Sequence, residues 1–224
     1  MSLFIKYLDK IINRYEPKGS KFLWWEVQKK YTADTVDFIY KEMPSAMFFE
    51  NPLDILEYVM SIRVQGSILE FGVFSGTTIN HMADFAPNEK IFGFDSFEGL
   101  PEPWKGFLYI PRMFDRKGTM PEVRSNVTLI KGWFDKTVPE FFEKHKEPIS
   151  VLHIDSDLYS SAKIVLDHSK SFLKKGSIIV FDEFFNYPGY KLHEFKAFFE
   201  FIESTSFKYE FLAYSGNQAA VRLL

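Results

Sequence analysis

The chain has 224 residues, of which 46% are hydrophobic, and it carries a formal net charge of −3. A length and composition of this kind support one substantial core and a single α/β domain. The near balance of charge excludes the overall basic field that binding to a nucleic-acid backbone usually requires, so we expect no nucleic-acid partner. The absence of cysteine excludes disulfides, zinc–thiolate sites and cysteine nucleophiles.

The apolar residues are distributed as in a protein without a membrane partner. Lys6, Asp9 and Lys10 interrupt the apolar residues of the first 15 positions, and the apolar runs elsewhere are far shorter than the roughly 18 residues of a membrane span. We therefore expect a cytoplasmic protein. The 26 phenylalanines favour a bulky core over an aromatic binding cleft.

The pattern of the first third of the chain predicts helices, and this part contains no motif for catalysis or binding. Apolar residues recur with helical spacing over 3–12, and Asn51 followed by proline opens a second predicted helix that runs to residue 63. We predict a helical N-terminal extension over 1–60, followed by one domain over 61–224.

From residue 67 onward, short apolar runs that end in acidic or small residues alternate with helical stretches. This alternation is typical of a doubly wound parallel sheet. The predicted strands cover 67–72, 90–95, 127–131, 149–155, 177–182, 207–213 and 219–223. The predicted helices cover 77–85, 138–145, 160–173 and 190–203, the last with Leu192, Phe195, Phe199 and Ile202 on one stripe. Between them, the long Pro- and Gly-rich segment 96–125 is interpreted as a lid over the substrate, with disorder as the alternative.

Two acids end neighbouring predicted strands. Glu70 is followed by Gly72 and Gly76 before a helix, and glycines there let the backbone approach a ligand next to free helix N–H groups. Asp95 ends the next strand, where nucleotide-binding α/β folds place a carboxylate that accepts from ribose hydroxyls. The alternative is that both acids cap turns. Taken together, they favour a nucleotide-cofactor site.

Four further carboxylates follow the fourth and fifth predicted strands. Asp155 and Asp157 are predicted to point to one side because strand side chains alternate, and Asp182 and Glu183 arrive from the neighbouring strand. At ~5 Å separation and an effective dielectric of ~20, each like-charged pair would repel by roughly 3 kcal/mol. The cluster therefore predicts a hard cation such as Mg²⁺, or protonation. Alternatively, some of these acids point into solvent or cap helices. His153 is interpreted as a satisfied strand residue, with a supporting role behind the acids as the alternative.

Five short segments lie in one order along this region: Leu-Glu-Phe-Gly-Val-Phe-Ser-Gly at 69–76, Phe-Asp-Ser-Phe-Glu-Gly-Leu-Pro-Glu at 94–102, Lys-Gly-Trp-Phe-Asp at 131–135, His-Ile-Asp-Ser-Asp-Leu-Tyr-Ser at 153–160 and Val-Phe-Asp-Glu at 180–183. Together they resemble the macrocin O-methyltransferase family of class I methyltransferases. The resemblance implies a Rossmann-like sheet of seven mostly parallel strands, with helices on both faces, that binds S-adenosyl-L-methionine. The implied cofactor contacts are Glu70 and Gly72 near the methionine half, Asp95 and Ser96 at the ribose, Gly132, Trp133 and Phe134 at the adenine, and in addition Ser75 and Asp155.

The resemblance also implies a Mg²⁺ held by Asp155, Asp182 and Glu183, with Asp157 as the general base. Relatives carry Asp-Asp where this chain has Asp182-Glu183, so the longer Glu183 could reach the ion or could support it indirectly. The implied acceptor is a small-molecule hydroxyl, on a sugar or another secondary metabolite, and a homo-oligomer is possible. Two alternatives remain open: an NAD-type oxidoreductase, and a cofactor-binding protein without catalysis.

Overall fold

The structure, a computed structural model, describes residues 20–107, 110 and 112–224. The predicted helix over 3–12 lies outside the described residues. No helix in the described part of the chain combines the length and the apolar character that crossing a membrane would take.

The described residues form an α/β fold in which strands and helices alternate from β2 onward. In chain order the elements are α1 (Ser20–Glu42), β1 (Met47–Phe48), α2 (Pro52–Ile62), β2 (Ser67–Phe71), α3 (Thr77–Asp84), β3 (Ile91–Asp95), β4 (Val127–Lys131), α4 (Phe134–Lys144), β5 (Ile149–Ile154), α5 (Tyr159–Ser169), β6 (Ile178–Phe181), a 3₁₀ turn (Tyr190–Leu192), α6 (Glu194–Glu203), β7 (Tyr209–Ser215) and β8 (Gln218–Leu223).

The strands form one mixed sheet in the order β1-β7-β8-β6-β5-β2-β3-β4. All neighbours are parallel except β8, which runs antiparallel to β6 and β7. Successive residues of β5 contact opposite faces: Leu152 packs among residues of α4, α5 and α6, whereas Val151 packs among residues of α2 and α3. Helices thus cover both faces, which confirms the predicted doubly wound, Rossmann-like fold. The strand order reverses between β2 and β5, where open α/β sheets bind ligands beyond the carboxyl ends of their strands.

Several element boundaries differ from the prediction. The sheet has eight strands rather than seven, because Met47–Phe48 pairs with β7 although it lies in the predicted helical extension. The helix predicted over 138–145 begins four residues earlier, and the one predicted over 160–173 ends at Ser169. The helix predicted over 190–203 is a 3₁₀ turn followed by α6, so the proposed apolar stripe is interrupted. Leu192 is 53% exposed, whereas the rest of the stripe is partly buried against the core, and Ala197, Phe198 and Phe201 of α6 are buried more deeply.

Phenylalanine side chains fill the core next to β6 and α6. Phe184 is fully buried, and seven rings surround it at centroid distances of 5.1–6.4 Å: Phe38, Phe181, Phe185, Phe195, Phe198, Phe199 and Phe211. Aromatic pairs at such distances add to the stabilisation from burial alone. Because Phe38 belongs to α1, this cluster also joins the N-terminal helix to the sheet.

Polar contacts hold α1 against the loop that follows β6. The Asn186 backbone N–H donates to Thr35 Oγ1 at 3.0 Å, and the Thr32 hydroxyl donates to Asn186 Oδ1 at 2.9 Å. Asp34 accepts from the Tyr190 hydroxyl at 2.6 Å and from Lys191 Nζ at 2.9 Å. The N-terminal helix therefore supports the loop that begins directly after Asp182 and Glu183, the two acids that follow β6.

We expect Phe184→Ala to lower the free energy of unfolding by about 3–5 kcal/mol, because it leaves a cavity inside the phenylalanine cluster. The measurement is urea denaturation followed by circular dichroism. Phe48→Ala is the control, since Phe48 is 64% exposed and outside this cluster, and should cost below about 1 kcal/mol. Equal losses for the two variants would contradict the assignment of Phe184 to the centre of the core.

Candidate active site

A cavity of about 630 Å³ opens at the carboxyl edge of the sheet, within the range of small-molecule sites. Loops that follow β2, β3, β4, β5 and β6 line it. Ten of the twelve predicted site residues lie in its wall: Gly72, Asp95, Ser96, Gly132, Trp133, Phe134, Asp155, Asp157, Asp182 and Glu183. The fold thus brings the predicted cofactor residues and the predicted acceptor residues to one cavity.

The other two predicted site residues do not line the cavity. Glu70 is fully buried; its Oε1 accepts from the Thr78 hydroxyl at 2.7 Å, and its Oε2 lies 3.5 Å from His153 Nδ1. Burial raises the pKa of Glu70. Ser75 is exposed, with its hydroxyl 3.0 Å from that of Thr77. Glu70 therefore stands behind the site, and Ser75 stands beside it.

The loop after β2 approaches the end of β5 so closely that only glycine fits. Gly72 has a φ of +99°, and a Cβ there would lie 1.7 Å from the backbone oxygen of Asp155. The Gly72 N–H donates to Phe94 O and the Asp155 N–H donates to Phe71 O, both at 2.9 Å. The β2, β3 and β5 ends are thereby fixed relative to one another at the reversal of strand order.

Asp95 organises the loops after β2 and β3 in the cavity wall. Its Oδ2 accepts from the backbone N–H groups of Val73 at 2.9 Å and Phe74 at 2.7 Å, and its Oδ1 accepts from Phe97 N–H at 2.6 Å. The carboxylate predicted to hold a ribose therefore also fixes the loop after β2, an additional role that spacing alone did not reveal. Neighbouring Ser96 accepts from Glu98 N–H at 3.1 Å.

Apolar groups form another part of the cavity wall. Trp133, 38% exposed, precedes α4 together with Gly132. The wall also includes Leu100 and Pro101 from the predicted lid and Ile164 from α5. The sequence analysis missed the last three, because no motif marks them. Flat apolar surfaces of this kind suit the adenine predicted to bind there.

The acidic end of the cavity consists of Asp155, Asp157, Asp182 and Glu183. The backbone geometry that brings these residues together differs from the predicted one. β5 ends at Ile154, so strand alternation does not reach Asp157, whose φ of +62° instead marks a left-handed turn. Both Asp155 and Asp157 still line the cavity. Burial raises the pKa of each well above its usual range, with the Asp182 charge adding to the effect on Asp155. Burial likewise raises the pKa of Glu183 to about 9.

The acidic pair after β6 is engaged by side chains of β8 and its turn. Asp182 Oδ1 accepts a hydrogen bond from Gln218 Nε2, and Glu183 Oε2 accepts from Asn217 Nδ2 at 2.8 Å. Within residues 20–107, 110 and 112–224, no three His, Asp or Glu side chains are grouped as metal ligands. The donors are all oxygens, which suits a hard cation, but their present arrangement does not enclose one. The Mg²⁺ site therefore stays a prediction.

His153 lies between two carboxylates beneath the cavity. It is fully buried, with Nδ1 3.5 Å from Glu70 and Nε2 3.9 Å from Asp182 Oδ1. Burial alone would lower the pKa of His153, but the two neighbouring carboxylates raise it to about 10. Neither ring nitrogen has a hydrogen-bond partner in the described residues. The histidine thus supplies positive charge behind the acids, rather than being the satisfied strand residue that we favoured.

Glu194, the first residue of α6, is a site-forming residue that the sequence analysis missed. It is fully buried, and its two carboxylate oxygens accept from the backbone N–H groups of Ser156, Asp157 and Glu183. Burial raises the pKa of Glu194 to about 8, although these backbone hydrogen bonds act in the opposite direction. An acidic residue in a first helical turn usually has a local explanation, so no sequence pattern marks this longer-range role.

Part of the predicted lid packs over the loop after β2. Within the lid itself, the N–H groups of Arg116 and Gly118 donate to Phe97 O at 3.1 and 2.7 Å. The Phe114 ring meets the Phe74 ring edge-on, with centroids 5.3 Å apart. Phe74 and Phe114 both line the cavity, which agrees with the interpretation of 96–125 as a cover for the site.

The beginning of the lid contacts α5 and the loop after β6. The Trp104 ring stacks on Phe107 at 4.2 Å and meets Tyr187, in the loop after β6, at 5.5 Å. The Ser160 hydroxyl donates to Glu102 Oε1 at 2.6 Å. The lid therefore contacts the loop after β2 as well as α5 and the loop after β6.

A doubly wound sheet with a ligand cavity at its strand-order reversal defines an α/β protein that binds a nucleotide-like cofactor. The family model described as a methyltransferase domain matches residues 69–184, just over half of the chain. The chain belongs to this methyltransferase family, and the matched region contains most of the cavity wall.

Similar proteins of assigned function are fibrillarin-like rRNA/tRNA 2′-O-methyltransferases. That of Thermococcus onnurineus is 31% identical over 116 residues, which cover 51% of this chain and 45% of that protein. That of Pyrococcus abyssi is 32% identical over 116 residues, covering 51% of this chain and 44% of that protein. The match thus spans somewhat less than half the length of these relatives.

Solved structures of methyltransferases share the fold over more of the chain. The calicheamicin methyltransferase CalS11 aligns with a TM-score of 0.60 at 22% identity, covering 97% of this chain and 90% of that chain. Its apo structure, described as a TDP-rhamnose 3′-O-methyltransferase, aligns with a TM-score of 0.54 at 23% identity, covering 88% and 93%. The O-methyltransferase NovP aligns with a TM-score of 0.56 at 18% identity, covering 76% and 78%. At such identities the likeness shows the fold alone.

We expect the free energy of unfolding to fall as the pH rises from about 5 to about 9 in the presence of EDTA. The pKa values of Glu194, Glu183 and His153 are raised to about 8, 9 and 10. A group whose pKa is higher in the folded than in the unfolded state favours folding fully below its unfolded pKa, and this contribution is lost as the pH rises through the folded pKa. Urea denaturation at intervals of one pH unit measures the decline. Glu183→Gln should make it shallower; constant or increasing stability would contradict the expected pKa directions.

Proposed function

We propose that the protein transfers the methyl group of S-adenosyl-L-methionine to a hydroxyl of a small acceptor. The observation that carries the proposal is a single cavity whose wall contains Gly72 and Asp95, both predicted to contact the cofactor, together with Asp157. A cofactor bound beside Gly72 and Asp95 would share this cavity with an acceptor bound beside Asp157. Holding donor and acceptor in one cavity removes much of the entropic cost of bringing them together.

Asp157 is the proposed general base. As the acceptor oxygen forms its bond to the methyl carbon, the carbon–sulfur bond breaks, S-adenosylhomocysteine leaves as a neutral thioether, and the hydroxyl proton passes to the Asp157 carboxylate. Burial raises the pKa of Asp157, which makes its carboxylate a stronger proton acceptor. Its 5% exposure keeps competing water away from the carboxylate.

The acceptor hydroxyl is proposed to belong to a sugar or a sugar-like secondary metabolite. The named activities of the similar proteins, rRNA/tRNA 2′-O-methylation and TDP-rhamnose 3′-O-methylation, have a sugar-ring hydroxyl in common. The resemblance of the five segments to the macrocin O-methyltransferase family points the same way. An NAD-type oxidoreductase does not fit a member of a methyltransferase family.

The charge of the cavity supports a small acceptor without phosphate groups over RNA. In the described part of the chain, its wall contains no Lys or Arg side chain but six carboxylates: Asp95, Asp135, Asp155, Asp157, Asp182 and Glu183. Phosphate groups inside it would lack the cations that normally neutralise them. We therefore place the acceptor among neutral or amine-bearing hydroxyl compounds.

A divalent cation is proposed at Asp155, Asp182 and Glu183. When bound, it would lower the pKa of the acceptor hydroxyl and help to orient it. The oxygen donors suit Mg²⁺, whereas closing the site would require Asp182 and Glu183 to turn from Gln218 and Asn217. The cation is a separate element of the proposal, and proton removal by Asp157 does not depend on it.

The first experiment measures transfer of a radiolabelled methyl group from S-adenosyl-L-methionine to three sets of acceptors: free and glycosidic sugars, nucleotide-linked sugars, and RNA. Turnover is expected with the first set. Turnover with RNA alone would overturn the acceptor class. Binding of S-adenosylhomocysteine without turnover on any set would favour the non-catalytic alternative.

We expect Asp157→Asn to reduce kcat by roughly 10²- to 10⁴-fold, the usual contribution of a general base. Binding of S-adenosylhomocysteine, measured by isothermal titration calorimetry, should change less than about threefold, because Gly72 and Asp95 are unaltered. Asp167→Asn is the control, since Asp167 pairs with Lys163 on the exposed part of α5. Wild-type turnover in Asp157→Asn would reject Asp157 as the base.

We expect EDTA to reduce turnover and added Mg²⁺ to restore it. Asp182→Asn should weaken this metal dependence, seen as a higher Mg²⁺ concentration at half-maximal rate, while S-adenosylhomocysteine affinity is retained. Unchanged wild-type turnover in EDTA would remove the cation from the proposal and leave the role of Asp157 standing.

A further inference from the structure

Glu194 is a buried carboxylate at the start of α6 that faces the loops of the acidic end. Its exposure is 0%. Within the described residues, no Lys, Arg or His nitrogen lies at ion-pair distance from it, whereas its oxygens lie 3.1, 3.1 and 3.2 Å from the backbone nitrogens of Ser156, Asp157 and Glu183. Burying a carboxylate is costly unless hydrogen bonds compensate, and these three N–H groups provide them.

The three donors belong to two different loops. Ser156 and Asp157 follow β5 and share Glu194 Oε1, whereas Glu183 follows β6 and donates to Oε2. One side chain therefore joins the backbone that carries the proposed base to the backbone that carries the acidic pair. It does so from beneath the cavity, because Glu194 itself is not part of the cavity wall.

A purely local role in the helix does not explain this orientation. An acidic residue in the first turn can interact favourably with the N–H groups of its own helix. The α6 helix, however, has no side-chain cap hydrogen bond at its N-cap, and the described hydrogen bonds of Glu194 go to other segments. Its partners in the loop after β5 lie 37 and 38 residues earlier in the chain.

The backbone at Asp157 needs such support. Its φ of +62° is an uncommon conformation for a residue other than glycine, and strained residues of this kind persist where the surroundings hold them. The hydrogen bond from Asp157 N–H to Glu194 fixes the peptide unit that leads into this turn. The Asp157 side chain is thereby directed into the cavity.

We propose that Glu194 is a positioning residue for methyl transfer: it holds the loops after β5 and β6 in the register that aims Asp157 at the acceptor hydroxyl. This inference rests on the proposed function for its kinetic part. Its structural part, the three hydrogen bonds that fix the loops, can be tested without any acceptor.

The structural test is amide hydrogen exchange followed by NMR. In the wild-type protein, the amides of Ser156, Asp157 and Glu183 should exchange slowly although they lie outside regular helix or strand. In Glu194→Gln, the side-chain NH₂ group cannot accept, so at least one loop loses its acceptor and should exchange at least about tenfold faster. Rapid exchange of all three amides in the wild-type protein would overturn the proposal, even if the variant fails to fold.

The kinetic test compares Glu194→Gln with Glu200→Gln, using the best acceptor from the screen. Glu200 lies on the same helix but accepts from the Tyr159 hydroxyl at 2.7 Å instead of from the loops. We expect Glu194→Gln to lower kcat roughly 10- to 100-fold, the scale of a small misplacement of reacting groups. S-adenosylhomocysteine affinity and the melting temperature should stay near those of Glu200→Gln.

The outcomes separate the two proposals. Wild-type kcat in Glu194→Gln, or a parallel loss of kcat, cofactor affinity and melting temperature, would overturn the positioning role. Glu194→Asp retains an acceptor carboxylate and should recover part of the lost kcat. If no acceptor is turned over by the wild-type protein, the proposed function fails while the exchange result still decides whether Glu194 fixes the loops.

Discussion

The organisation of the cavity depends on carboxylates that accept hydrogen bonds from loop backbones. Asp95 binds three N–H groups, at Val73, Phe74 and Phe97, and Glu194 binds three others in the loops after β5 and β6. Hydrogen bonds from backbone N–H groups to a carboxylate are stronger than neutral ones. Without these bonds, the segments that follow the five strands would be independent of one another. Asp95 joins the loops after β2 and β3, and Glu194 joins the loops after β5 and β6.

This arrangement explains how acids can lie so close together. The loops cannot relieve repulsion between Asp155 and Asp182 by separating, because the backbone is held at several points. The loop after β6 is held from beneath by Glu194 and from outside by α1, through Thr35 and Asn186. Instead, burial and the nearby Asp182 charge together raise the pKa of Asp155.

The sequence predicted the features that depend on local pattern. Asp95, Asp155 and Asp182 were identified as site residues because each stands at the end of an apolar run, and parallel strands bring their carboxyl ends to one edge of the sheet. It could not predict β1, since two residues have no recognisable periodicity. It also could not predict Glu194, whose partners after β5 lie 37 and 38 residues away and whose local position has an ordinary explanation.

At two site residues the local geometry differs from the one that the strand pattern predicted. Strand alternation was extended past Ile154, where a left-handed turn replaces it, so Asp157 reaches the cavity by a different geometry. Glu70 was counted as a cofactor contact from its position before the glycines, but the pleat turns its side chain toward Thr78 and His153. The direction in which a strand side chain points depends on the neighbouring strands, and a single sequence does not reveal which strands those are.

The acids of the cavity wall differ in how their charge is compensated. The Asp95 charge is shared among three backbone N–H groups. In the described part of the chain, Asp155, Asp157, Asp182 and Glu183 have no cationic side chain at ion-pair distance apart from the buried His153. A sulfonium donor, and a divalent cation if one binds, would supply the missing positive charge. The charge of the cavity is therefore complementary to a positively charged methyl donor, and it becomes less so once the donor has become a neutral thioether, which favours release of the product.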